Sequence, residues 1–197
     1  MGLLASFIQK LRRKARAGDL SGADEGNWRE AFAVAFRGLV LEQSAISYLL
    51  EKIPPETQKE LRAGFDQIEA RIFDLWLVSH ALRRSVKHVA KADLFAVLDL
   101  GHLEVYRNLV ASGMTEQQVM DLQDRLPPRY SEYDNAYAGF WIEDADRGKW
   151  MFQFARLVTA HVFGQETTDI RVALMLATIV NNKVIAIGQT FGEFRPS

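Results

Sequence analysis

The sequence predicts an all-α, single-domain bundle of about seven helices, preceded by an N-terminal amphipathic helix. Three observations carry this. Apolar residues recur at three- and four-residue spacings through most of the chain, the period of one helix face. Prolines, glycines and candidate caps punctuate those stretches. The middle of residues 66–91, Ile72-Phe73-Asp74-Leu75-Trp76-Leu77-Val78, is apolar on nearly every side. A helix apolar all round must be covered all round, so this segment is expected at the centre of the bundle.

Within it, Ile68, Ile72, Leu75, Ser79, Leu82, Val86 and Val89 share a face, and Trp76, Leu77 and Val78 widen it. Arg83, Arg84, Lys87, His88 and Lys91 load the C-terminal end, where cations meet the negative end of the helix dipole. Asp74 breaks the apolar run, and a charge in a dry core must be paired or neutralised. Arg71, one turn earlier, is its expected partner. The competing reading makes Asp74 a proton-handling carboxylate.

The remaining elements follow in chain order. Met1–Ala17 reads as an amphipathic helix with Leu3, Leu4, Phe7, Ile8 and Leu11 on one face. Lys10, Arg12, Arg13, Lys14 and Arg16 give this segment a local +5 with no acid. That is the composition of a helix lying in an anionic membrane interface. The alternative is a helix whose apolar face docks on the bundle or on a second copy of the chain. Met1-Gly2-Leu3-Leu4-Ala5-Ser6 also fits the loose myristoylation pattern. Residues 18–26 read as a linker, and residues 27–197 as the bundle domain. Asn27, with Glu30, is expected to cap a helix running to about Lys52, with Phe32, Phe36, Leu39, Ile46 and Leu50 buried. Pro54-Pro55 end it and begin the next, which passes Gly64 into the central segment. Asp93 is expected to cap a helix with Leu94, Leu98, His102, Val105 and Leu109 on its inner face, closed by Gly113. Thr115 and Gln118 form a capping box for a short helix ending at Pro127-Pro128. Tyr130, Tyr133, Tyr137 and Trp141 then recur at helical spacing, followed by an acidic turn over residues 143–148. Trp150, Met151, Phe154, Val158 and Val162 mark the next helix, ended by Gly164. The last begins near Thr168 or Asp169, with Ala173, Ala177, Val180, Val184, Ile187 and Phe191 inward and at least one of Asn181 and Asn182 buried.

Composition narrows the function. With 197 residues, 48% hydrophobic and 25% charged, the chain suits one domain with a real core. The net charge is -1, so no nucleic-acid partner is expected. Cysteine is absent, which removes disulfides, thiolate nucleophiles and zinc–thiolate sites and fits a reducing compartment. No segment reads as a secretory signal or a spanning helix, because the apolar C-terminal stretch contains Arg171, Asn181, Asn182 and Lys183. Of the four histidines, His80, His88, His102 and His161, none sits in a zinc or di-iron motif. Asp99 and His102 share a helix face without further ligands, and Asp144-x-Asp146-x-Gly148 is only part of a calcium loop. Neither a metal nor a cofactor is expected, and no catalytic residue can be assigned. The aromatic run Tyr130, Tyr133, Tyr137 and Trp141 reads either as core or as a partner-binding surface, given the weight of Tyr and Trp at interface hot spots.

Arg71-Ile72-Phe73-Asp74-Leu75-Trp76-Leu77-Val78-Ser79-His80 with Arg83-Arg84, the Ser112-Gly113-Met114 turn, and Tyr133-Asp134 before an acidic turn occur in an order that resembles the ubiquinol–cytochrome c chaperone family. The likeness covers about residues 70–190, and residues 27–65 have no counterpart in it. It implies a helical, non-enzymatic chaperone that holds a membrane-protein client at the membrane surface. The reading is therefore a non-catalytic interaction protein with a protein partner, cytoplasmic and peripheral at the inner membrane, as an assembly factor would be. One rival is a ligand-binding or regulatory bundle with a cavity beside the central helix. Another is an enzyme or metal protein using Asp74, Asp99 or His102.

Overall fold

A computed structural model describes residues 25–138 and 147–191. Among them are eight helices and no strand: α1 (Glu25–Leu41), α2 (Ala45–Lys52), α3 (Pro55–Arg62), α4 (Gln67–Ser85), α5 (Lys91–Ala111), α6 (Glu116–Ala138), α7 (Arg147–Phe163) and α8 (Ile170–Phe191). The protein is an all-α bundle. The amphipathic segment 1–17 lies outside the described residues, as do most of the linker and the acidic turn.

α4 is the central helix. It packs on α8 and α6 most extensively and also touches α1, α2, α5 and α7. Trp76, Phe73, Ile72, Leu75 and Leu77 are fully buried in it. Asp66 caps its first turn, accepting from Ile68 N (2.8 Å) and Glu69 N (3.1 Å). The Asp66 N–H donates in turn to Val162 O of α7 at 2.8 Å. Just before it, a side chain on Gly64 would meet Phe163 O at 2.1 Å, so the α3–α4 turn rests directly on the α7 backbone. The helix stops at Ser85, and Val86 is already extended. Lys87, His88 and Val89 therefore belong to the α4–α5 connection rather than to the central helix.

Several expected boundaries move. The helix expected over residues 27–52 is two, broken at residues 42–44, and the first begins at Glu25, so Asn27 lies inside it. Ser44 caps α2 by accepting from Ser47 N at 3.2 Å. α5 begins at Lys91 with Ala90 in the cap position. Asp93 does not cap it and instead pairs with Arg29 of α1 at 2.7 Å. The Thr115–Gln118 box is present, with reciprocal bonds of 2.9 and 3.2 Å. The helix it starts does not end at the prolines. α6 runs unbroken through Pro127 and Pro128 to Ala138.

Proline removes a backbone donor and clashes with the carbonyl four residues back, a cost of about 3 kcal/mol or more inside a helix. Here the two prolines, and Gln123 and Asp124 four residues before them, are all exposed, so the freed carbonyls face water. Side chains on both sides of the prolines hold the helix to α4. Arg125 reaches Asp66 (3.3 Å) and Glu69 (3.5 Å), and Arg129 grips the buried Glu69 carboxylate at 3.0 Å.

α8 is long and apolar enough, by length and composition, to cross a membrane, contrary to the expectation that no segment would be. In the bundle Val172, Ala173, Leu176, Ala177, Val180 and Ile187 are buried, whereas Ile170, Leu174 and Ile185 are exposed. Asn182 is exposed and Asn181 half-buried, so neither is the buried amide expected there.

Two glycines test this packing in opposite directions. Gly101 of α5 lies against Phe36 of α1, where an added Cβ would come within 2.7 Å of the ring, whereas one on Gly38 meets nothing within 4 Å. Gly101→Ala should destabilise by about 1–3 kcal/mol through overpacking. Gly38→Ala should stabilise by about 0.5–1 kcal/mol through helix propensity. Urea denaturation of both variants checks the pair; equal effects would mean that the α1–α5 contact is misassigned.

Candidate functional site

The polar side chains of the interior gather along α4. Trp76, Ser79, His80 and Arg83 recur at three–four spacing, and α6 presents Tyr130, Tyr133, Asp134 and Tyr137 at the same period. Asp134 is the hub. It accepts from Trp76 Nε1 at 2.8 Å and from Arg83 Nη2 at 3.1 Å, and lies 2.9 Å from His80 Nδ1. Burial by itself would raise the Asp134 pKa. The His80 and Trp76 hydrogen bonds and the Arg83 charge outweigh it and hold the carboxyl at about 2. The Trp76 ring packs 5.3 Å from Tyr133 and 5.7 Å from Tyr137 and Phe154. His80 stands edge-on to Tyr137 at 4.8 Å.

A second cluster lies beside it. Tyr130 OH is 2.9 Å from His102 Nε2 and 3.2 Å from Ser79 Oγ, while His102 Nδ1 lies 2.8 Å from Leu98 O. A bond to a carbonyl places the proton on Nδ1, so Nε2 is the acceptor and Tyr130 donates to it. Burial lowers the His102 pKa and keeps the ring neutral, against the pull of the Leu98 bond and Asp99. Burial also raises Tyr130, and lifts Tyr106 to about 12. Ser79 resembles a nucleophile beside a base in kind, but it is 2% exposed and its Oγ is 3.5 Å from His102 Nε2. The cluster satisfies buried polar groups and ties α4 to α5 and α6.

The third group was only half legible in the sequence. Asp74 is fully buried. Its Oδ1 accepts from Ala45 N, at the start of α2, at 2.7 Å. Arg71 Nη1 lies 3.8 Å from its Oδ2 and donates to Val40 O at 3.4 Å. From α8, Lys183 donates to Gln43 O and to Leu39 O (3.4 Å). Burial raises the Asp74 pKa, opposed by the charge of Lys183, by Ser44, by the Ala45 N–H and by Arg71. Burial lowers that of Lys183, opposed by Asp74. The expected Arg71–Asp74 pair is therefore real but secondary to a helix-start N–H and a lysine from the far end of the chain.

These findings sort the residues singled out from sequence. Tyr133 and Tyr137 are core residues, essentially unexposed, and Tyr130 points its hydroxyl inward; they do not form a free partner-binding surface. Trp141 lies outside the described residues, as do Leu3, Leu4, Phe7, Ile8, Lys10, Leu11, Arg12, Arg13 and Lys14. Asp99 is exposed on α5 while both ring nitrogens of His102 are engaged inside, so neither nitrogen is left to share a metal with Asp99. Among the described residues no group of three or more His, Asp or Glu is placed to hold a metal. A surface feature went unnoticed in the sequence. α5 is apolar outside as well as inside: Phe95, Leu100, Leu103 and Val110 are each about two-fifths exposed. The signal was present in their spacing, but the inner stripe of the same helix masked it.

No family model matches this chain, and neither does any curated protein or solved structure.

Three substitutions test the clusters. Asp134 has a folded pKa below its unfolded value of about 3.9, so its contribution is full above about pH 4 and is lost as pH falls through about 2. Asp134→Asn should cost about 1–3 kcal/mol near neutral pH and flatten the stability profile over that acid window. Urea denaturation at several pH values reads both. Asp74→Ala should cost about 1–3 kcal/mol, because it leaves the Ala45 N–H without its acceptor and removes a counter-charge of the half-buried Lys183. Adding Lys183→Met should recover part of that loss. A double variant that is simply the sum of two losses would show that the two charges do not interact.

Proposed function

We propose that this protein is a non-catalytic interaction protein that works at the surface of an anionic membrane, with the bundle presenting a partner-binding face. The observation that carries the reading is the composition of residues 1–17, where five cations and no acid accompany Leu3, Leu4, Phe7, Ile8 and Leu11, which would share one face of a helix. Such a helix binds by apolar insertion together with about 1 kcal/mol per basic residue near anionic headgroups. The outer face of α5 supports the second half of the reading. Phe95 to Val110 spans about 22 Å at 1.5 Å per residue, the length of a four-turn helix. An apolar helix of a partner protein is the occupant that fits it. The titratable groups inside the bundle support a non-catalytic role, since Asp134, Glu69 and His102 are bonded to neighbouring elements. The more specific form, an assembly factor for a respiratory complex at the inner membrane, rests on the resemblance over residues 70–190 alone.

Full-length protein should cosediment with vesicles containing anionic lipid and be released at high salt, since surface charges are screened over about 8–10 Å near physiological ionic strength. Protein lacking residues 1–17 should stay in the supernatant with unchanged thermal stability. Equal binding by both forms, or none by either, rejects the membrane role. A drop in thermal stability on truncation would instead place the segment on the bundle or on a second copy.

A further inference from the structure

Where Arg71 leaves the core, the bundle opens into a cleft of about 390 Å³, between the end of α1, the start of α4 and the α5–α6 turn. Sites for small molecules typically span about 300–1,000 Å³. The polar residues lining it are Gln67, Arg71, Asn108, Ser112 and Gln118, with no carboxylate among the described residues that line it.

The hydrogen-bonding balance of this cleft is one-sided. Four carbonyls around it are taken: Val40 O by Arg71, Asn108 O by Ser112 N and Oγ, Leu109 O by Met114 N, and Val110 O by Gly113 N. Gln118 commits its Oε1 to Thr115 N at 2.9 Å, which leaves its amide NH2 to donate. Arg71 has five donors in a planar fork. Its Nη1 faces inward to Val40 O and Asp74, and its Nε and Nη2 meet no acceptor among the described residues. The side chain is only 21% exposed, so the spare donors are held in place rather than left waving in solvent. The turn that closes the cleft needs Gly113, whose φ is +101°. Spare donors are left around one positive charge, and no carboxylate faces them among the described residues that line the cleft.

We propose that this cleft binds a small organic anion, a carboxylate or a phosphate ester, with the outer edge of Arg71 forking its charged group and Gln67 and Gln118 beside it. Bidentate donation to a planar or tetrahedral oxyanion is the interaction to which a guanidinium is best suited. The Asp74 side of the same guanidinium is undisturbed, because the inward and outward donors are different atoms. The inference is independent of the membrane reading and concerns another face of the bundle.

The probes are inorganic phosphate and citrate, titrated into full-length protein by calorimetry and by amide chemical shifts. Saturable binding is expected for at least one of them, with shifts centred on Gln67, Arg71 and Gly113. Gln67→Glu is the decisive variant. It places a carboxylate one turn before Arg71 in the first turn of α4, which favours the helix while occupying the guanidinium. It should weaken binding at least tenfold with an unchanged or raised melting temperature. Arg71→Gln should abolish binding; if that variant does not fold, Gln67→Glu still decides. No saturable binding of either probe to the wild-type chain overturns the proposal. So does equal binding by Gln67→Glu, or shifts confined to residues 1–17.

Discussion

The turn between α1 and α2 depends on three charges that come from elsewhere. A helix end leaves unsatisfied carbonyls, and a helix start leaves unsatisfied N–H groups. When one helix stops and another starts within three residues at the edge of a core, both sets must be met at nearly the same place. Arg71 and Lys183 donate to Val40, Leu39 and Gln43 on the carbonyl side, and Asp74 accepts from Ala45 on the amide side. Cations at a C-terminal end and an anion at an N-terminal start also follow the two helix dipoles. Each charge is thus matched to backbone before it is matched to another charge. That is why Asp74 tolerates complete burial although its nearest guanidinium nitrogen is 3.8 Å away.

The same arrangement accounts for what the sequence hid. Periodicity was enough to find the central helix, its inner stripe, the Thr115 box and the Gly113 and Gly164 stops, because each is encoded within a few residues. The break at residues 42–44 carries no proline or glycine, and its local composition is helical. It is imposed by residues 29 and 140 positions away, Asp74 from Ala45 and Lys183 from Gln43. The continuity of α6 through Pro127-Pro128 failed in the opposite sense: a strong local stop signal is overridden by Arg125 and Arg129 meeting on Glu69. In both places tertiary contacts of charged side chains, to backbone in the first and to Glu69 in the second, outweigh a local preference, and no window of sequence contains both partners.

The candidate sites divide on the same line. Trp76 was legible as core, and Tyr133-Asp134 was noticed, but the convergence of Trp76, His80 and Arg83 on Asp134 required knowing that α4 and α6 lie side by side. The tyrosines could be read as core or as surface because hot-spot residues and aromatic core residues are the same types. Burial, which separates the two, is not written in their spacing.

Lys183 has a further consequence for how α8 seats. The helix is apolar on both faces, with Leu174 and Ile185 outside and Leu176, Val180 and Ile187 inside, so hydrophobicity alone discriminates poorly between rotations and registers. Small residues at 173 and 177 permit close approach to α4 in more than one setting. A lysine does not share that indifference. Sliding α8 by one turn, about 5.4 Å, would carry its ammonium away from the Leu39 and Gln43 carbonyls into aliphatic surroundings. An unpaired buried charge there costs several kcal/mol. One half-buried lysine, the only one in α8, therefore fixes a register that the apolar residues leave nearly degenerate, as single buried polar positions do in coiled coils. The charge that kept this stretch from reading as a membrane span is what specifies how it seats in the bundle.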